Sequence, residues 1–165
     1  MNYIIDSMQS EDWPQVCKIY QEGILTGHAT FETNAPDWGY WDTGHLPCCR
    51  LVARCDNQIS GWVALSAVSR RQVYAGVAEV SVYIAAQARG QNLGNRLMAE
   101  LITSAEQNGI WTLQSSIFPE NLASVALHLK HGFREIGRRE RIAKLHGRWR
   151  DTLVFERRSQ IVGLD

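Results

Sequence analysis

The chain has 165 residues, 45% of them hydrophobic, enough to bury the core of one domain and too few for two ordinary ones. Seventeen basic and seventeen acidic residues cancel, which argues against nucleic acid or an anionic membrane as partner and leaves any anion site to local geometry. No run is long and apolar enough to span a bilayer, the first ten residues carry no leader pattern, and Cys17, Cys48, Cys49 and Cys55 show no metal-binding spacing. These unpaired thiols read as core packing in a protein expected in the reducing cytoplasm.

Residues 3–5 predict a first strand. Ser10 predicts the N-cap of a helix, with Glu11 and Asp12 in the turn where negative charge is favourable. Val16, Ile19, Tyr20 and Ile24 then recur at helical spacing. Asn34-Ala35-Pro36-Asp37 reads as a loop that opens a short helix at Trp38 and Trp41. Residues 51–53 and 59–65 read as strands joined by a turn at Asp56-Asn57-Gln58. Residues 77–84 alternate: Ala78, Val80, Val82 and Ile84 share a core face, while Val77, Glu79, Ser81 and Tyr83 share the other. Leu93, Leu97, Leu101 and Ile102 define a helix that stops near Asn108-Gly109. Residues 111–117 form a further strand, 121–130 a helix closed by Gly132, and 133–137 and 152–156 two last strands, with His146-Gly147-Arg148-Trp149 in the hairpin between them. This order implies a mixed α/β sheet rather than repeated βαβ units.

Arg89-Gly90-Gln91-Asn92-Leu93-Gly94 joins the alternating strand to the strong helix. Successive backbone N–H groups at such a helix start, continuing through Asn95 and Arg96, can converge on a bound anion. Gly90 and Gly94 remove side chains that would hold a pyrophosphate off the backbone, and Arg89 adds a fixed positive charge. The segment matches neither the phosphate loop of nucleotide hydrolases nor the dinucleotide fingerprint, which disfavours hydrolysis and nicotinamide chemistry. Taken alone, it reads equally well as a plain strand-to-helix turn.

The same segment resembles the signature of the GNAT superfamily of N-acetyltransferases: Arg or Gln, two residues, Gly, one residue, then Gly or Ala. Asn92 stands where that pattern has its first glycine, and asparagine tolerates left-handed backbone better than other non-glycine residues. Ala29-Thr30-Phe31-Glu32-Thr33, Glu79-Val80-Ser81-Val82-Tyr83 and His146-Gly147-Arg148-Trp149 are similar to the phosphinothricin and methionine sulfoximine acetyltransferases of that superfamily. So are Asn121-Leu122-Ala123-Ser124 and residues 127–133. The resemblance implies acetyl-CoA as cosubstrate, no metal, and a mixed, mostly antiparallel sheet flanked by helices, with a central splayed pair of parallel strands at 77–84 and 111–117. It further implies that the cosubstrate lies in that V along Val82, Tyr83 and Ile84, its diphosphate on residues 89–96 and its pantetheine arm near Asn121 and Ser124. A backbone N–H at a bulged strand end around Tyr83 and Ile84 is the expected oxyanion partner.

By pattern alone Glu79 is a solvent-facing glutamate; the resemblance makes it the expected base. An ammonium cannot attack a thioester until a group removes its proton, and partial burial raises a carboxylate's proton affinity toward that task. His128 takes the place many relatives give to tyrosine, as a proton donor to the departing thiolate or as a residue that packs and orients the cosubstrate. Arg70, Arg71 and Tyr74 are the expected anchor for a substrate carboxylate, with one of the two arginines left to a solvated loop. Phe31, Trp38 and Trp41 are the expected apolar wall, and His146 and Trp149 a lid or second-subunit contribution. The expected substrate is a small-molecule amine: the α-amine of an amino acid or analogue such as methionine sulfone, methionine sulfoximine or phosphinothricin. The resemblance also implies a homodimer and a detoxifying role, since acetylation removes the ammonium such inhibitors present to their target. The alternatives are an acetyltransferase for protein N-termini or for polyamines, the latter disfavoured by Arg70 and Arg71, and a CoA-binding module without turnover, disfavoured by Glu79.

Overall fold

The computed structural model describes residues 2–165. Strand β1 (Ile4–Ser7) leads through a 3-10 turn to helix α1 (Trp13–Leu25), then α2 (Trp38–Gly44) and strands β2 (Leu51–Cys55), β3 (Gln58–Ala67) and β4 (Val77–Ile84). Helix α3 (Leu93–Gln107), β5 (Thr112–Ile117), α4 (Leu122–Lys130) and the hairpin of β6 (Arg134–Leu145) and β7 (Arg148–Arg158) follow. The sheet runs β1-β2-β3-β4-β5-β7-β6, antiparallel except between β4 and β5. This is the mixed sheet that the element order predicts, with the one central parallel pair that the resemblance implies.

Alternation along β4 sorts its two faces. Ala78 and Val80 are buried, and Ile84 on the same face packs near Leu97 and Gly94 of α3. Helix α3 buries Leu93, Leu97, Met98, Leu101, Ile102 and Ala105 as one stripe. Each large side chain among them contributes roughly 1.5–3 kcal/mol of transfer free energy. On the opposite face, the Tyr83 ring lies against α1 at Gly23, where a Cβ would come within 2.6 Å of it. A mid-helix glycine is unfavourable by about 1 kcal/mol; here it makes room for the ring.

Three local features differ from expectation. Ser10 does not cap α1: Gln9 N donates to Asp12 Oδ2 at 2.9 Å across the 3-10 turn Ser10–Asp12, and α1 starts at Trp13 with Pro14 in its first turn. Asp12 is buried because Arg54 of β2 donates to both its oxygens, at 3.0 and 2.9 Å. Strands β6 and β7 are far longer than 133–137 and 152–156, and β6 is exposed almost throughout, so no apolar alternation marks it. Their turn is His146-Gly147, with φ of 48° and 77°, the double left-handed geometry that suits a two-residue hairpin. Finally, no bulge interrupts β4, which pairs one to one with β3 from Ala67↔Ala78 to Gly61↔Ile84.

The opening in the sheet comes from β5 instead. It pairs with β4 only at Val77↔Thr112, Ala78↔Leu113 and Glu79↔Gln114, while its other edge follows β7 along its whole length. Trp111 locks the start of this pair: its N–H donates to the Gly76 carbonyl at 2.8 Å, and a Cβ on Gly76 would lie 2.0 Å from the indole. Gly76→Ala should displace that ring and destabilise the fold by about 1–3 kcal/mol, read as a lower urea midpoint at unchanged slope.

Candidate active site

Where β4 and β5 part, a cleft of about 1150 Å³ opens between the free edge of β4, the start of α3, the end of β5 and the first turns of α4. Beyond Glu79 the β5-side edge of β4 has no strand partner, so backbone groups of Val80 to Ile84 on that edge face the cleft. Buried backbone polar groups need partners. A ligand amide or carbonyl lying along this edge can supply them.

One end of the cleft is built for an anion. Asn92 takes the left-handed conformation, φ 62° and ψ 11°, and Gly90 has φ 76°; together they swing the chain into α3. No side chain caps α3, because Asn92 Oδ1 accepts from Asn95 Nδ2 at 2.6 Å instead of from the helix amides. The first intrahelical bond belongs to Arg96 N, donating to Asn92 O at 3.3 Å, so the amides of Leu93, Gly94 and Asn95 remain at the cleft with the positive end of the helix dipole behind them. Arg89 lines the same end, its Nε donating to the Ile84 carbonyl at 3.3 Å. Gly94 has ordinary helical backbone; a Cβ there would make only ordinary contact with Leu127 of α4, at 3.4 Å.

Asn121 and Ser124 stand at the other wall. Asn121 Oδ1 caps α4 by accepting from Ser124 N at 3.2 Å, and its Nδ2 donates to the His28 carbonyl at 3.2 Å, tying the loop after α1 to the cleft. Arg150 of β7 holds the same loop, donating to the Gly27 carbonyl at 2.8 Å and to Glu120 Oε2 at 3.2 Å. Its guanidinium lies 4.2 Å over Phe118, which meets Phe31 edge-on at 4.8 Å. Phe31 therefore reaches the cleft as a fixed apolar wall.

Glu79 lines the cleft half-buried on the α1 side of the sheet. Burial raises its proton affinity above the usual carboxylate value, with the Gln114 side chain and the Arg139 charge pulling the other way. His128 is 1% exposed, wedged against Phe133 at 4.8 Å. Its Nδ1 lies 2.8 Å from the Ser124 carbonyl oxygen, which can only accept, so Nδ1 carries the proton. Burial also holds the imidazolium below its ordinary range. Nε2 is then a buried lone pair with no partner among the described residues. In this state His128 Nε2 holds no proton to donate.

Of the residues marked in the sequence, Glu79, His128, Val82, Tyr83, Ile84, Arg89, Gly90, Asn92, Leu93, Gly94, Asn95, Asn121, Ser124 and Phe31 converge on the cleft. Gln91 and Arg96 do not line it: Gln91 Nε2 donates to the Gln87 carbonyl, and Arg96 turns back to donate to the Tyr3 carbonyl at 2.6 Å. Arg70, Arg71, Tyr74 and His146 also lie outside the lining, with Arg71 stacked 5.6 Å over Tyr74 on an exposed turn. Trp38 and Trp41 pack with Trp13 into an aromatic cluster, with Trp41 buried and the other two half-buried, rather than into a wall of the cleft. Gln114, Phe118, Arg150 and Thr152 went unmarked, because nothing in the local pattern separates them from ordinary strand and loop residues. Among the described residues no group of three or more His, Cys, Asp or Glu side chains is placed to hold a metal, and no helix is long and apolar enough to cross a membrane.

Residues 8–133 match the Acetyltransferase (GNAT) family model. The chain is 32% identical over 161 residues to a phosphinothricin N-acetyltransferase of Alcaligenes faecalis, covering 91% of this chain and 79% of that protein. It is 35% identical over 151 residues to the L-methionine sulfoximine/L-methionine sulfone acetyltransferase of Pseudomonas aeruginosa, 88% of each. It superposes on the crystal structure of a GNAT superfamily phosphinothricin acetyltransferase from Sinorhizobium meliloti in complex with AcCoA, at a TM-score of 0.88 and 26% identity over 100% of this chain and 92% of that one. With a parted strand pair leading to an uncapped helix start, and likeness over most of its length, the chain belongs to the GNAT acetyltransferase family.

Proposed function

We propose that this acetyltransferase moves the acetyl group of acetyl-CoA to the α-amine of a small amino acid or analogue of the methionine sulfone, methionine sulfoximine or phosphinothricin kind. The observation that carries this reading is a half-buried carboxylate, Glu79, in one cleft with an unpaired β-edge and an uncapped helix start. The residues fit acetyl-CoA. The amides of Leu93, Gly94 and Asn95 with Arg89 suit a diphosphate, and the free edge of β4 suits the amides of a pantetheine arm. When bound, acetyl-CoA supplies the thioester carbonyl and the thiolate leaving group.

Glu79 takes the proton from the substrate ammonium, directly or through water, and its raised proton affinity suits a base working near neutrality. A backbone N–H on the open edge of β4, near Tyr83, faces the charge that develops on the carbonyl oxygen. It needs no bulge. Tyr83 itself, packed into Gly23, holds that backbone still. His128 Nε2 accepts a hydrogen bond from the bound arm. The pinned loop bearing His28 and Phe31 narrows the mouth, which favours a small amine over a protein terminus. We place the enzyme in the cytoplasm as a detoxifying homodimer, joined through the β6–β7 arm, where Ile136, Ile142 and Trp149 are 46, 51 and 56% exposed.

Glu79→Gln should lower kcat by at least 100-fold with acetyl-CoA affinity within threefold of wild type by calorimetry. For the wild type, kcat/KM should rise with pH as Glu79 loses its proton, with a midpoint above the ordinary glutamate value. Unchanged turnover in the variant would remove Glu79 from the mechanism. Asn92→Gly should leave acetyl-CoA binding intact, since glycine adopts the left-handed turn freely. Asn92→Val should weaken it by about 5- to 30-fold, the equivalent of the roughly 1–2 kcal/mol left-handed penalty. His128→Phe should raise the dissociation constant for CoA while keeping most of kcat; the reverse pattern would make His128 the proton donor.

A further inference from the structure

His45, Ser66 and Glu79 all line the cleft. The ladder sets the last two side by side: Ser66 of β3 pairs with Glu79 of β4, so both side chains stand on the α1 face with Cβ atoms about 5 Å apart. His45 reaches the same face from the end of α2. A row of rings leads to it: Tyr83 stacks on Trp62 at 4.8 Å, Trp62 meets Trp41 edge-on at 5.6 Å, and Trp41 stacks on His45 at 4.1 Å. Leu46 N then donates to the Leu65 carbonyl at 2.7 Å, which fixes His45 beside the end of β3 that bears Ser66.

The turn that carries His45 is held by one arginine. Arg50 donates to the carbonyls of Asp42, His45 and Leu46 at 2.9, 2.9 and 2.6 Å, pairs with the Asp42 carboxylate, and lies 5.3 Å over the Trp41 ring. The imidazole is fixed as well. Its Nδ1 lies 2.7 Å from the Trp41 carbonyl oxygen, which can only accept, so Nδ1 carries the proton. Burial is the main reason that the ring's proton affinity falls below the ordinary histidine value, which keeps it neutral. Nε2 is therefore a lone pair. Neither it nor the Ser66 hydroxyl has a hydrogen-bond partner among the described residues. A carboxylate, a hydroxyl and an imidazole nitrogen thus offer three acceptors on one face of the cleft.

We propose that His45 Nε2, the Ser66 hydroxyl and the Glu79 carboxylate form a three-point cradle for the substrate ammonium, each accepting one of its N–H groups, so that the site selects primary over secondary amines. The proposal rests on the amino-acid reading of the enzyme. A primary ammonium has three N–H donors, and three acceptors complete it. When Glu79 takes one proton, the electron pair of that N–H bond becomes the lone pair that attacks the thioester carbonyl. The two remaining N–H groups, held by His45 and Ser66, keep that lone pair aimed. A methyl group on the nitrogen would leave one acceptor unpaired, which is unfavourable in a half-buried site.

The test compares acetylation of L-methionine sulfone with that of its N-methyl derivative. The wild type should favour the primary amine in kcat/KM by at least tenfold. His45→Phe keeps the stack on Trp41 and loses the acceptor, so KM for methionine sulfone should rise about tenfold while acetyl-CoA affinity by calorimetry stays within threefold. His45→Gln, whose amide oxygen can stand in for Nε2, should recover part of that loss. Ser66→Ala removes only a hydroxyl, so its melting temperature should match the wild type while the preference for the primary amine drops threefold or more. A side chain that merely supported the fold would slow both substrates alike. An unchanged KM in His45→Phe, or an unchanged preference in Ser66→Ala, would overturn the cradle and leave the amino-acid reading standing. A wild type that acetylates no amino acid would overturn that reading, and the cradle with it.

Discussion

The structure depends on a pairing that stops early. Strands β4 and β5 run parallel for three register pairs and then separate, leaving one edge of β4 open in the middle of the sheet. An interior strand with unsatisfied backbone groups is unfavourable unless a ligand or water completes it. The neighbours of the pair enforce the parting: β3 holds β4 to Ile84, and β7 holds β5 to Ile117, so neither strand can bend across to the other. Everything chemical in the protein is arranged around that gap.

The gap sets the order of the site. Glu79 is the last residue of β4 with a partner on β5, so the proposed base stands at the apex of the V, where the two strands still fix its position. Moving outward along β4, open backbone follows, then the left-handed Asn92 and the uncapped amides of α3. A ligand with a hydrogen-bonding arm and an anionic tail matches that sequence of features end to end. Its reactive end then lies beside the carboxylate.

Much of this was legible in the residues. The period-two alternation of 77–84 placed Glu79 opposite the core side chains, and the helical stripe from Leu93 fixed the direction of α3. Asn92 could be read as a left-handed position because asparagine pays less than other non-glycine residues there. The arm could not be read. Nearly every β6 side chain is exposed, so burial leaves no periodic trace in its sequence, and two register shifts break whatever period remains. Thr152 and Arg150 belong to that arm; Thr152 reaches the cleft only through cross-strand register, and Arg150 holds the loop at its mouth. Arg70 and Arg71 had the right chemistry by composition. Their turn, however, lies outside the cleft lining, and position along the chain did not reveal that. Trp38 and Trp41 were ambiguous for a different reason: aromatic side chains serve a pocket wall and a core equally well, and only packing against Trp13 decides.

The central claim is that the open edge of β4 and the bare start of α3 together receive acetyl-CoA. Amide hydrogen exchange measured with and without acetyl-CoA reads those backbone groups directly. Slowed exchange concentrated in residues 80–84 and 90–95 is the predicted result. Binding that protects other segments and leaves those amides exchanging as before, or no binding at all, would contradict the account.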